Sequence, residues 1–338
     1  MNSSQVAVVI LNWNGQSFLQ KFLPSVVQNT KAPGVEIIVA DNGSTDQSVQ
    51  FLKDNFPDIR VIEFEKNYGF SGGYNKALQQ VKSNFFVLLN SDVEVPAGWL
   101  TPLIDFMNKN TNVAACMPKL LDYNHRNRFE YAGAAGGFID SLGYPFCRGR
   151  ILNAIEEDNG QYDKPVEVFW ASGACMLIRS DIYWLAGGLD DDFFAHMEEI
   201  DLCWRIKNLG YTIWCNPTSM VFHVGGGTLP NNNPHKLYLN YRNSLYMLYK
   251  NLPSGMLWGK ILIRLSLDWA SAIVYLLTAR FAFGSAVIRA HLSFWSNLSV
   301  LNRKRLKTSF DVRVVLSNSI LISFFIKRRR KYSDLGIR

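Results

Sequence analysis

Two acidic positions in this 338-residue chain stand where a ligand could bind. Asp41 opens the polar run 41–46, and Asp92 closes Asn90-Ser91-Asp92; an apolar run precedes each of them. Such runs are typical of parallel strands that are buried on both faces. Parallel strands end along one edge of their sheet, where open α/β proteins bind ligands. We therefore expect Asp41 and Asp92 to share a crevice, where one accepts a hydrogen bond from a base or ribose and the other holds a divalent cation.

A third acidic group is Glu198-Glu199-Ile200-Asp201, which places three carboxylates in the first turn of a predicted helix that ends near Gly210. Acidic residues at that position stabilise a helix by about 0.3–1 kcal/mol each, so a purely electrostatic role is one interpretation. His223 ends a predicted strand just before the glycine run 225–227. A lone histidine there is often structural, but imidazole is also a common metal ligand.

Strands and helices alternate in the part of the chain that must position these residues. Apolar runs predict strands at 6–11, 35–40, 59–64 and 85–89, with helical patterns between them and a glycine-rich loop, 67–73, before a helix at 74–82. This alternation predicts a parallel, doubly wound α/β sheet. Residues 100–165 predict a loop-rich insert with short strands, and we place its four arginines on the solvated surface: Arg126, Arg128, Arg148 and Arg150.

Two common nucleotide-binding motifs are missing from the sequence. The glycine-rich loop does not contain G-x-G-x-x-G, and G-x-x-x-x-G-K-[ST] occurs nowhere in the chain. Dinucleotide dehydrogenases and P-loop enzymes are therefore unlikely classes for this protein.

Four segments in a fixed order do resemble a known family. They are 8–15 (VVILNWNG), 41–46 (DNGSTD), 67–75 (NYGFSGGYN) and 89–92 (LNSD). Their pattern is similar to glycosyltransferase family 2, in a branch that resembles rhamnosyltransferases, and the resemblance extends over about residues 5–250. It implies a GT-A fold and a nucleotide-sugar donor.

The resemblance also implies roles for individual residues on the donor side. In the family, the carboxylate that matches Asp41 binds the nucleobase, and the one that matches Asp92 binds Mg²⁺ or Mn²⁺ on the donor diphosphate. Asn90 stands where the first acid of the D-x-D motif is expected, which removes one charge. The donor-binding residues implied in this way are Asn12, Asn14, Asp41, Asn42, Gly69, Gly73, Asn75, Asn90, Ser91, Asp92 and Arg242.

On the catalytic side, residues 198–201 resemble the family's E-D-x-D motif. Glu199 takes the place of the general base, with a glutamate instead of an aspartate, and Glu198 and Asp201 complete the catalytic set. His223 matches a histidine that joins the metal ligands. Trp170 and Gly173 lie in a segment that resembles the acceptor side, where Trp170 either stacks on a sugar or belongs to the core.

The charge of the chain divides it into two parts. Residues 1–250 contain 20 Lys and Arg against 25 Asp and Glu, whereas residues 251–338 contain 15 against 3, a net charge of +12. The second part combines basic clusters with apolar residues at helical spacing, as interfacial membrane helices do. We expect residues 251–338 to bind the anionic inner face of the cell membrane. Nucleic acid is the rival anionic partner, but no binding motif supports it, and a dimerising helical hairpin is the other alternative.

The remaining features predict a cytoplasmic protein. Five scattered cysteines without a C-x-x-C pair indicate reduced core residues, the first residues lack a secretory signal, and no apolar segment approaches the ~20 residues of a membrane span. We therefore predict a GT-A domain at 1–250, with a donor half at 1–98 and an acceptor half at 99–250, and a basic helical tail at 251–338.

The resemblance implies an inverting, metal-dependent transferase that moves a sugar from a UDP- or dTDP-sugar to a saccharide or lipid-linked saccharide in surface polysaccharide synthesis. Two other classes remain open. A nucleotidyltransferase shares the α/β core and a metal site, although segment 12–15 is not its usual G-x-G-T-R-type loop. A non-catalytic nucleotide-sugar-binding protein would keep Asp41 and Asp92 without the base.

Overall fold

The computed structural model describes residues 4–225, 233–305 and 315–337. Within these ranges the strands form two sheets. The strands are β1 Ser4–Asn12, β2 Val35–Asp41, β3 Arg60–Glu63, β4 Ser83–Asn90, β5 Val93–Glu94, β6 Val113–Asp122, β7 Gly137–Asp140, β8 Pro145–Cys147, β9 Arg150–Ile151, β10 Ala154–Ile155, β11 Val166–Val168, β12 Cys175–Arg179, β13 Thr212–His223 and β14 Val315–Leu316. The helices are α1 Gln16–Asn29, α2 Ser48–Asn55, α3 Gly69–Leu78, α4 Thr101–Lys109, α5 Ser180–Leu185, α6 Glu198–Asn208, α7 Pro234–Asn251, α8 Ser254–Leu277, α9 Phe281–Ser296 and α10 Leu298–Lys304.

The larger sheet has the strand order β11-β13-β6-β12-β4-β1-β2-β3, with β5 paired to β13. Strands β1 to β4 are parallel where they pair, as the alternating pattern predicts. The second half is mixed instead, because β12 runs antiparallel to both β4 and β6. The strand predicted to end at His223 is β13, which begins at Thr212 and whose pairing with β6 shifts register between Cys215 and Met220.

Three of the four apolar runs that predicted strands lie in the core, whereas the run 59–64 forms the edge strand β3, in which only Ile62 is buried. The side chains of 6–10, 38–40 and 85–89 are all buried. All five cysteines are free and buried, which agrees with the prediction of reduced core residues.

Helix α3 begins five residues before its predicted start at Tyr74. Glycine disfavours helices by about 1 kcal/mol per residue relative to alanine, which argued for a loop over 69–73. Tertiary contacts override that preference here. Gly69 has φ +74°, its N–H donates to Asn67 Oδ1 at 2.7 Å, and a Cβ on it would lie 2.5 Å from the ring of Phe194.

The smaller sheet has the order β10-β9-β8-β7-β14, and the insert at 100–165 contributes all of its strands except β14. Two of the insert's four arginines correct the prediction of a solvated surface, because Arg148 and Arg150 are buried, whereas Arg126 is exposed as predicted and Arg128 is half-buried. The Arg148 guanidinium donates to three backbone carbonyl oxygens, including that of Ala135 at 2.9 Å. Arg150 donates to the Cys147 sulfur at 3.3 Å and lies over the Tyr131 ring. Both arginines therefore brace the insert.

The basic C-terminal part is helical over α8 to α10 and packs on the first 250 residues. The predicted boundary at residue 250 lies inside α7, and β14 joins the smaller sheet beside β7. Lys304 bonds to the carboxylates of Asp190 and Asp192 at 2.6 Å each. In the described part of the chain, no helix is long and apolar enough to span a membrane. Lys307, in one of the basic clusters, lies outside the described residues.

Candidate active site

The carboxyl ends of β1, β2 and β4 meet at one edge of the larger sheet. In the strand register Asn12 lies opposite Asp41, and the residue before Asn12 lies opposite Asn90. Asn12, Asp41 and Asp92 are buried, while Asn90 and Ser91 are half-buried. The structure thus places Asp41 and Asp92 along one edge, as the strand pattern predicts.

Both oxygens of the Asp41 carboxylate accept hydrogen bonds from the chain. Oδ1 accepts from Asn12 Nδ2 at 3.0 Å and from the Ser44 hydroxyl at 2.6 Å, and Oδ2 accepts from the Ser44 N–H at 2.9 Å. Asn14 Oδ1 holds the same turn by accepting from the Thr45 N–H at 2.7 Å. These bonds fix the turn after β2, and contact between Asp41 and a nucleobase stays a prediction.

Trp13, between these asparagines, is a residue that the sequence reasoning missed. Its indole is 43% exposed at the carboxyl edge of β1. An exposed aromatic ring beside a nucleotide site offers a stacking surface for a base. A tryptophan among polar residues, directly after a buried strand, was the available signal.

Three predicted donor residues build the wall between β2 and α3. Asn42 Nδ2 donates to Asn67 Oδ1 at 3.0 Å and to the Gly69 carbonyl at 2.9 Å, while Asn42 Oδ1 accepts from a backbone N–H. A Cβ on Gly73 would lie 2.9 Å from Asn42 Nδ2, so a larger residue would displace this amide. The position of the Asn42 amide therefore depends on its bond to Gly69 and on the small size of Gly73.

Asn75 departs from its predicted role. Its Nδ2 donates to the Leu189 carbonyl and to Asp191 Oδ1, both at 2.7 Å, and its Oδ1 accepts from the Tyr183 hydroxyl at 2.6 Å and from the Leu189 N–H at 3.1 Å. An asparagine amide has two donor hydrogens and two acceptor lone pairs, and all four are used here. Asn75 therefore anchors α3 to the 189–191 segment. Its amide has no hydrogen-bonding group left to bind a nucleotide sugar.

Asp92 and His223 come from different strands and are in contact. Strand β5 pairs with β13 so that Val93 lies opposite His223, which brings His223 Nε2 to 3.1 Å from Asp92 Oδ1. On the other side of the ring, His223 Nδ1 lies 3.3 Å from Glu130 Oε1. All three side chains are buried. Sequence reasoning missed Glu130, because it lies in the insert, far from every motif.

The two carboxylates control the protonation of His223. Burial by itself would lower the pKa of the imidazole, but Asp92 and Glu130 outweigh it and raise the pKa to about 10. Burial would raise the pKa of Asp92, but the adjacent His223 holds that pKa below its ordinary value. At neutral pH the pair is therefore an imidazolium beside a carboxylate.

These ligands suit a hard divalent cation that shares its coordination with a substrate. Asp92 supplies a carboxylate oxygen, His223 a ring nitrogen, and Asn90 Nδ2 lies 3.5 Å from that nitrogen. Across 4–225, 233–305 and 315–337, no three His, Cys, Asp or Glu side chains are placed to hold a metal. Mg²⁺ is usually held by one or two carboxylates together with substrate phosphates, so two protein ligands fit. Gly226 and Gly227, after His223, lie outside the described residues.

Helix α6 begins after a strained turn. Phe194, His196 and Met197 have φ angles of 62°, 69° and 71°. Residues other than glycine rarely adopt positive φ, and such strain persists only where neighbouring contacts impose it, often at functional sites. The turn directly precedes Glu198 and Glu199, so its conformation sets the position of both carboxylates.

Two helices impose this conformation. From α7, Asn243 Nδ2 donates to three carbonyl oxygens of the 193–196 turn at 2.7, 2.8 and 3.0 Å. Arg242 Nη2 donates to the carbonyls of Asp192 at 2.9 Å and the next residue at 3.0 Å. From α3, the Phe70 N–H donates to the Phe194 carbonyl at 2.7 Å. Arg242 thus holds the turn in this structure, and its contact with a diphosphate stays a prediction.

Glu199 is half-buried and lies near Gly173, whose neighbour Ala174 bonds to the strand end that precedes Asp92. A Cβ on Gly173 would lie 3.9 Å from Glu199 Cβ, and the following Ala174 carbonyl accepts from the Asn90 N–H at 3.0 Å. Within the described residues, Glu199 Oε2 has no hydrogen-bond partner. Glu198 Oε2 lacks a partner in the same way, and both oxygens are shielded from solvent in this structure.

Both glutamates have raised pKa values. Burial raises the pKa of Glu199 to about 7, against the backbone N–H groups of Glu199 and Ile200, which lower it. Burial, together with the adjacent Glu199, raises the pKa of Glu198 well above its ordinary value. The pKa of Glu199 therefore lies close to neutral pH, and Glu198 also holds its proton more tightly than an ordinary carboxyl does. A base whose pKa lies near the working pH is best suited to proton transfer.

Asp201, the third predicted catalytic acid, is enclosed by partners. It is 0% exposed and accepts from Lys250 Nζ, Arg205 Nε and Asn251 Nδ2, each at 2.8 Å. Burial would raise the pKa of this carboxyl, but Lys250 and Arg205 hold it below its ordinary value. Its place in the catalytic set is corrected, since Asp201 joins α6 to α7 and cannot reach a substrate.

The two predicted acceptor residues also differ from each other. Gly173 lies beside Glu199, where only a small residue clears the Phe70 ring at 3.1 Å. Trp170 is 3% exposed, its Nε1 donates to the Phe138 carbonyl at 3.0 Å, and its ring covers Gly137. Sugar stacking by Trp170 is therefore wrong for this structure, and the core alternative describes this residue.

Comparison with known proteins supports the reading of the four motifs. The model of "Glycosyl transferase family 2" matches residues 7–185, which is more than half of the chain. The N-acetylglucosaminyl-diphospho-decaprenol L-rhamnosyltransferase of Mycobacterium tuberculosis is 25% identical over 319 residues, covering 89% of this chain and 96% of that protein. The low-salt glycan biosynthesis hexosyltransferase Agl10 of Haloferax volcanii is 23% identical over 276 residues, covering 80% and 81%.

Solved structures share the fold at low sequence identity. GalNAc-T7 with UDP, GalNAc and Mn²⁺ matches with a TM-score of 0.58 and 17% identity, over 74% of this chain and 48% of that one. The mannosyltransferase PcManGT of Pyrobaculum calidifontis, with GDP-Man and Mn²⁺, matches with a TM-score of 0.53 and 13% identity, over 87% and 88%. The predicted fold and family are confirmed: the chain belongs to glycosyl transferase family 2 and is a glycosyltransferase with a GT-A fold.

Proposed function

We propose that this enzyme transfers a sugar, with inversion at the anomeric carbon, from a UDP- or dTDP-sugar to a hydroxyl of a saccharide or lipid-linked saccharide in surface polysaccharide synthesis. Glu199 is the general base in this proposal. The observation that carries it is the half-buried Glu199 carboxylate, which has one oxygen without a hydrogen-bond partner and a pKa of about 7. Family membership argues against the nucleotidyltransferase alternative.

A divalent cation, Mg²⁺ or Mn²⁺, is part of the proposal, with Asp92 and His223 as its protein ligands. A cation held by these residues would supply positive charge that stabilises the departing diphosphate. His223 has to release its Nε2 proton to bind it, because metal ligands must be deprotonated. Glu199 accepts the proton of the acceptor hydroxyl on the other side of the sugar, and the turn held by Asn243 fixes the distance between the two groups.

Names of relatives support the lipid-linked acceptor. The mycobacterial relative is named for a diphospho-decaprenol-linked N-acetylglucosamine as acceptor and for rhamnose as the sugar transferred. An acceptor of that type stays in a membrane, and the net charge of +12 on residues 251–338 suits an anionic lipid surface. We place the enzyme peripherally on the inner face of the cell membrane.

The test is a screen of nucleotide sugars against the purified protein with Mn²⁺. A ligand at 100 times its dissociation constant stabilises the folded state by about 2.7 kcal/mol, so a bound donor raises the melting temperature. The donors found are then supplied with saccharide acceptors, and NMR of the product gives the anomeric configuration. If the protein binds a nucleotide sugar but neither transfers nor hydrolyses it, the result would favour the non-catalytic binding protein. A product with retained anomeric configuration would contradict inversion.

Glu130→Gln is expected to weaken Mn²⁺ binding by about 10–100-fold, the usual cost of losing a carboxylate that orients a ligating histidine. Glu130 Oε1 faces His223 Nδ1, and this contact directs Nε2 toward Asp92. Free Mn²⁺ measured by electron paramagnetic resonance gives the affinity without any turnover. Glu94→Gln is the matched control, because Glu94 follows Val93 at the same edge but pairs with Arg126. Equal Mn²⁺ affinities of Glu130→Gln and Glu94→Gln would contradict a role for Glu130 in the metal site.

Trp170→Ala is expected to lower the free energy of unfolding by about 3–5 kcal/mol, the range for a buried tryptophan, with the KM for the acceptor unchanged. Trp13→Ala removes an indole that is 43% exposed and should change stability by less than about 0.5 kcal/mol. Denaturant unfolding and acceptor titration separate the two effects. A raised acceptor KM in Trp170→Ala without loss of stability would restore the sugar-stacking role.

A further inference from the structure

Helix α8 has its charged residues on the inside. Lys260, Arg264 and Asp268 are the charged residues of this 24-residue helix. Arg264 and Asp268 are buried, at 2% and 1% exposed. Lys260 Nζ donates to the Ser141 carbonyl, and Arg264 donates to the Leu142 carbonyl at 2.9 Å. The charges of this helix are therefore directed into the protein.

The partners of these charges belong to the enzyme body and to α9. Arg264 Nη2 donates to the Ser244 hydroxyl at 2.8 Å on α7, and Asp268 Oδ2 lies 3.3 Å from His291 Nε2 on α9. The inward face of α8 is therefore fixed by polar bonds as well as apolar contacts, which determines the face that points outward.

The outward face of α8 is mainly apolar, with Ser254 and Ser266 as its exposed polar residues. Every exposed position of the helix is uncharged. Its large exposed side chains are between 39% and 82% exposed: Met256, Trp258, Leu262, Ile263, Trp269, Ile273, Val274, Leu276 and Leu277. Helix α9 extends the surface with Phe281, Leu292 and Trp295, and the Trp258 and Trp295 rings stack at 6.2 Å between centroids. We call these twelve side chains the outer apolar face.

An apolar surface of this size on a folded chain indicates a partner. A second copy of the chain would bring two segments of net charge +12 together, whereas an anionic bilayer complements that charge. The exposed pair Phe325 and Ile326 directly precedes the basic run 327–331, which repeats the combination of apolar and basic residues. Tryptophans concentrate where a protein meets the membrane interface. Charge and composition therefore favour a lipid surface.

The same helices touch the catalytic turn through one intermediate helix. Tyr246 of α7 bonds to Ser293 of α9 at 3.1 Å, and α7 carries Arg242 and Asn243, which hold the turn before Glu199. We propose that the outer apolar face lies in the headgroup region of an anionic bilayer and holds the acceptor side of the site next to the membrane. The proposal rests on the proposed lipid-linked acceptor for its purpose, but the lipid contact is tested separately.

The experiment is co-sedimentation of the full chain with vesicles of phosphatidylglycerol and phosphatidylethanolamine, and with vesicles of phosphatidylcholine alone. We expect binding to the anionic vesicles, which weakens as salt is added. The double variant Leu262→Glu, Ile273→Glu alters two positions eleven residues, or about three turns, apart on the outer face. It should reduce the partition coefficient by roughly tenfold for each side chain. Leu185→Glu, at an exposed leucine of α5, is the matched control and should bind as the native chain does.

Two further measurements separate the possible failures. Light scattering gives the mass of the native chain and of the double variant. If the native chain is a dimer, the double variant is a monomer and neither binds vesicles, the proposal would be overturned in favour of a second copy. Unchanged vesicle binding of the double variant, with an unchanged melting temperature, would also overturn it. Transfer to a short soluble acceptor without vesicles should be equal in native and double-variant chains, so loss of the proposed function would be visible independently of lipid binding.

Discussion

Replacing Glu199 with glutamine is expected to lower turnover by roughly 10²–10⁴-fold while the affinity for the donor stays nearly unchanged. Glutamine keeps the size and hydrogen bonding of the side chain but cannot accept the proton of the acceptor hydroxyl. The sugar donor is assigned to Asp41, Asp92 and the cation. Donor binding should therefore be independent of the Glu199 carboxylate. Single-turnover rates and donor titrations measure the two quantities separately.

The pH dependence gives an independent test of the same residue. Because burial raises the pKa of Glu199 to about 7, the native turnover should rise with pH through that value as the carboxylate becomes ionised. Residual turnover of Glu199→Gln should lack that rise. Stability changes in the opposite direction. The folded state holds the Glu199 proton more tightly than the unfolded state does. The protonated group therefore contributes its whole stabilisation at pH values below the ordinary pKa of glutamate, and this stabilisation is lost as pH rises through about 7. Glu199→Gln should therefore lose less stability over that interval than the native protein.

Glu198→Gln is the matched control for the base. Glu198 is adjacent, but about 100° around the helix, and burial raises its pKa well above the ordinary value. Its replacement should change turnover much less. Glu199→Asp, which shortens the arm by one methylene, should be partly active and no faster than the native enzyme. If Glu198→Gln is inactive and Glu199→Gln is active, the role of general base belongs to Glu198.

The parts of the site that the sequence predicted are those set by local pattern. Apolar runs that end in polar residues placed Asp41 and Asp92 at one sheet edge, because strand length and register follow from the runs themselves. The N-terminal position of Glu199 on its helix was predicted in the same way. Periodicity reports which face of an element is buried, and these residues lie where buried elements end.

The parts that the sequence did not predict depend on partners that are distant along the chain. Asp201 meets Lys250 and Asn251, Glu130 meets His223, and Arg148 is buried by backbone carbonyls, and none of these pairings leaves a local signal. The strained 194–197 turn is similar, because its conformation comes from Asn243 and Arg242 on a later helix. A charged side chain in a sequence shows that a charge must be solvated or paired, but not where its partner lies.

Asp92→Ala is expected to abolish metal-dependent donor binding, with a loss of more than about 100-fold in Mn²⁺ affinity and no measurable transfer. The loss should exceed that of Glu130→Gln, because removing a ligand costs more than removing the group that orients one. Of the two proposed protein ligands, Asp92 is the carboxylate, since Asn90 occupies the other D-x-D position. Titration of Mn²⁺ with and without nucleotide sugar measures both affinities.

Asn90→Asp provides the opposite change at the same loop. It restores the second carboxylate beside His223, whose Nε2 lies 3.5 Å from Asn90 Nδ2, and should strengthen Mn²⁺ binding because added negative charge attracts the cation. Asp92→Asn, which keeps the side-chain shape, should behave like Asp92→Ala and so exclude a purely steric effect. Transfer by the native enzyme that is undiminished in EDTA would show that the reaction needs no cation. In that case His223, which Asp92 and Glu130 keep protonated, would be left as the fixed positive charge of this edge of the site.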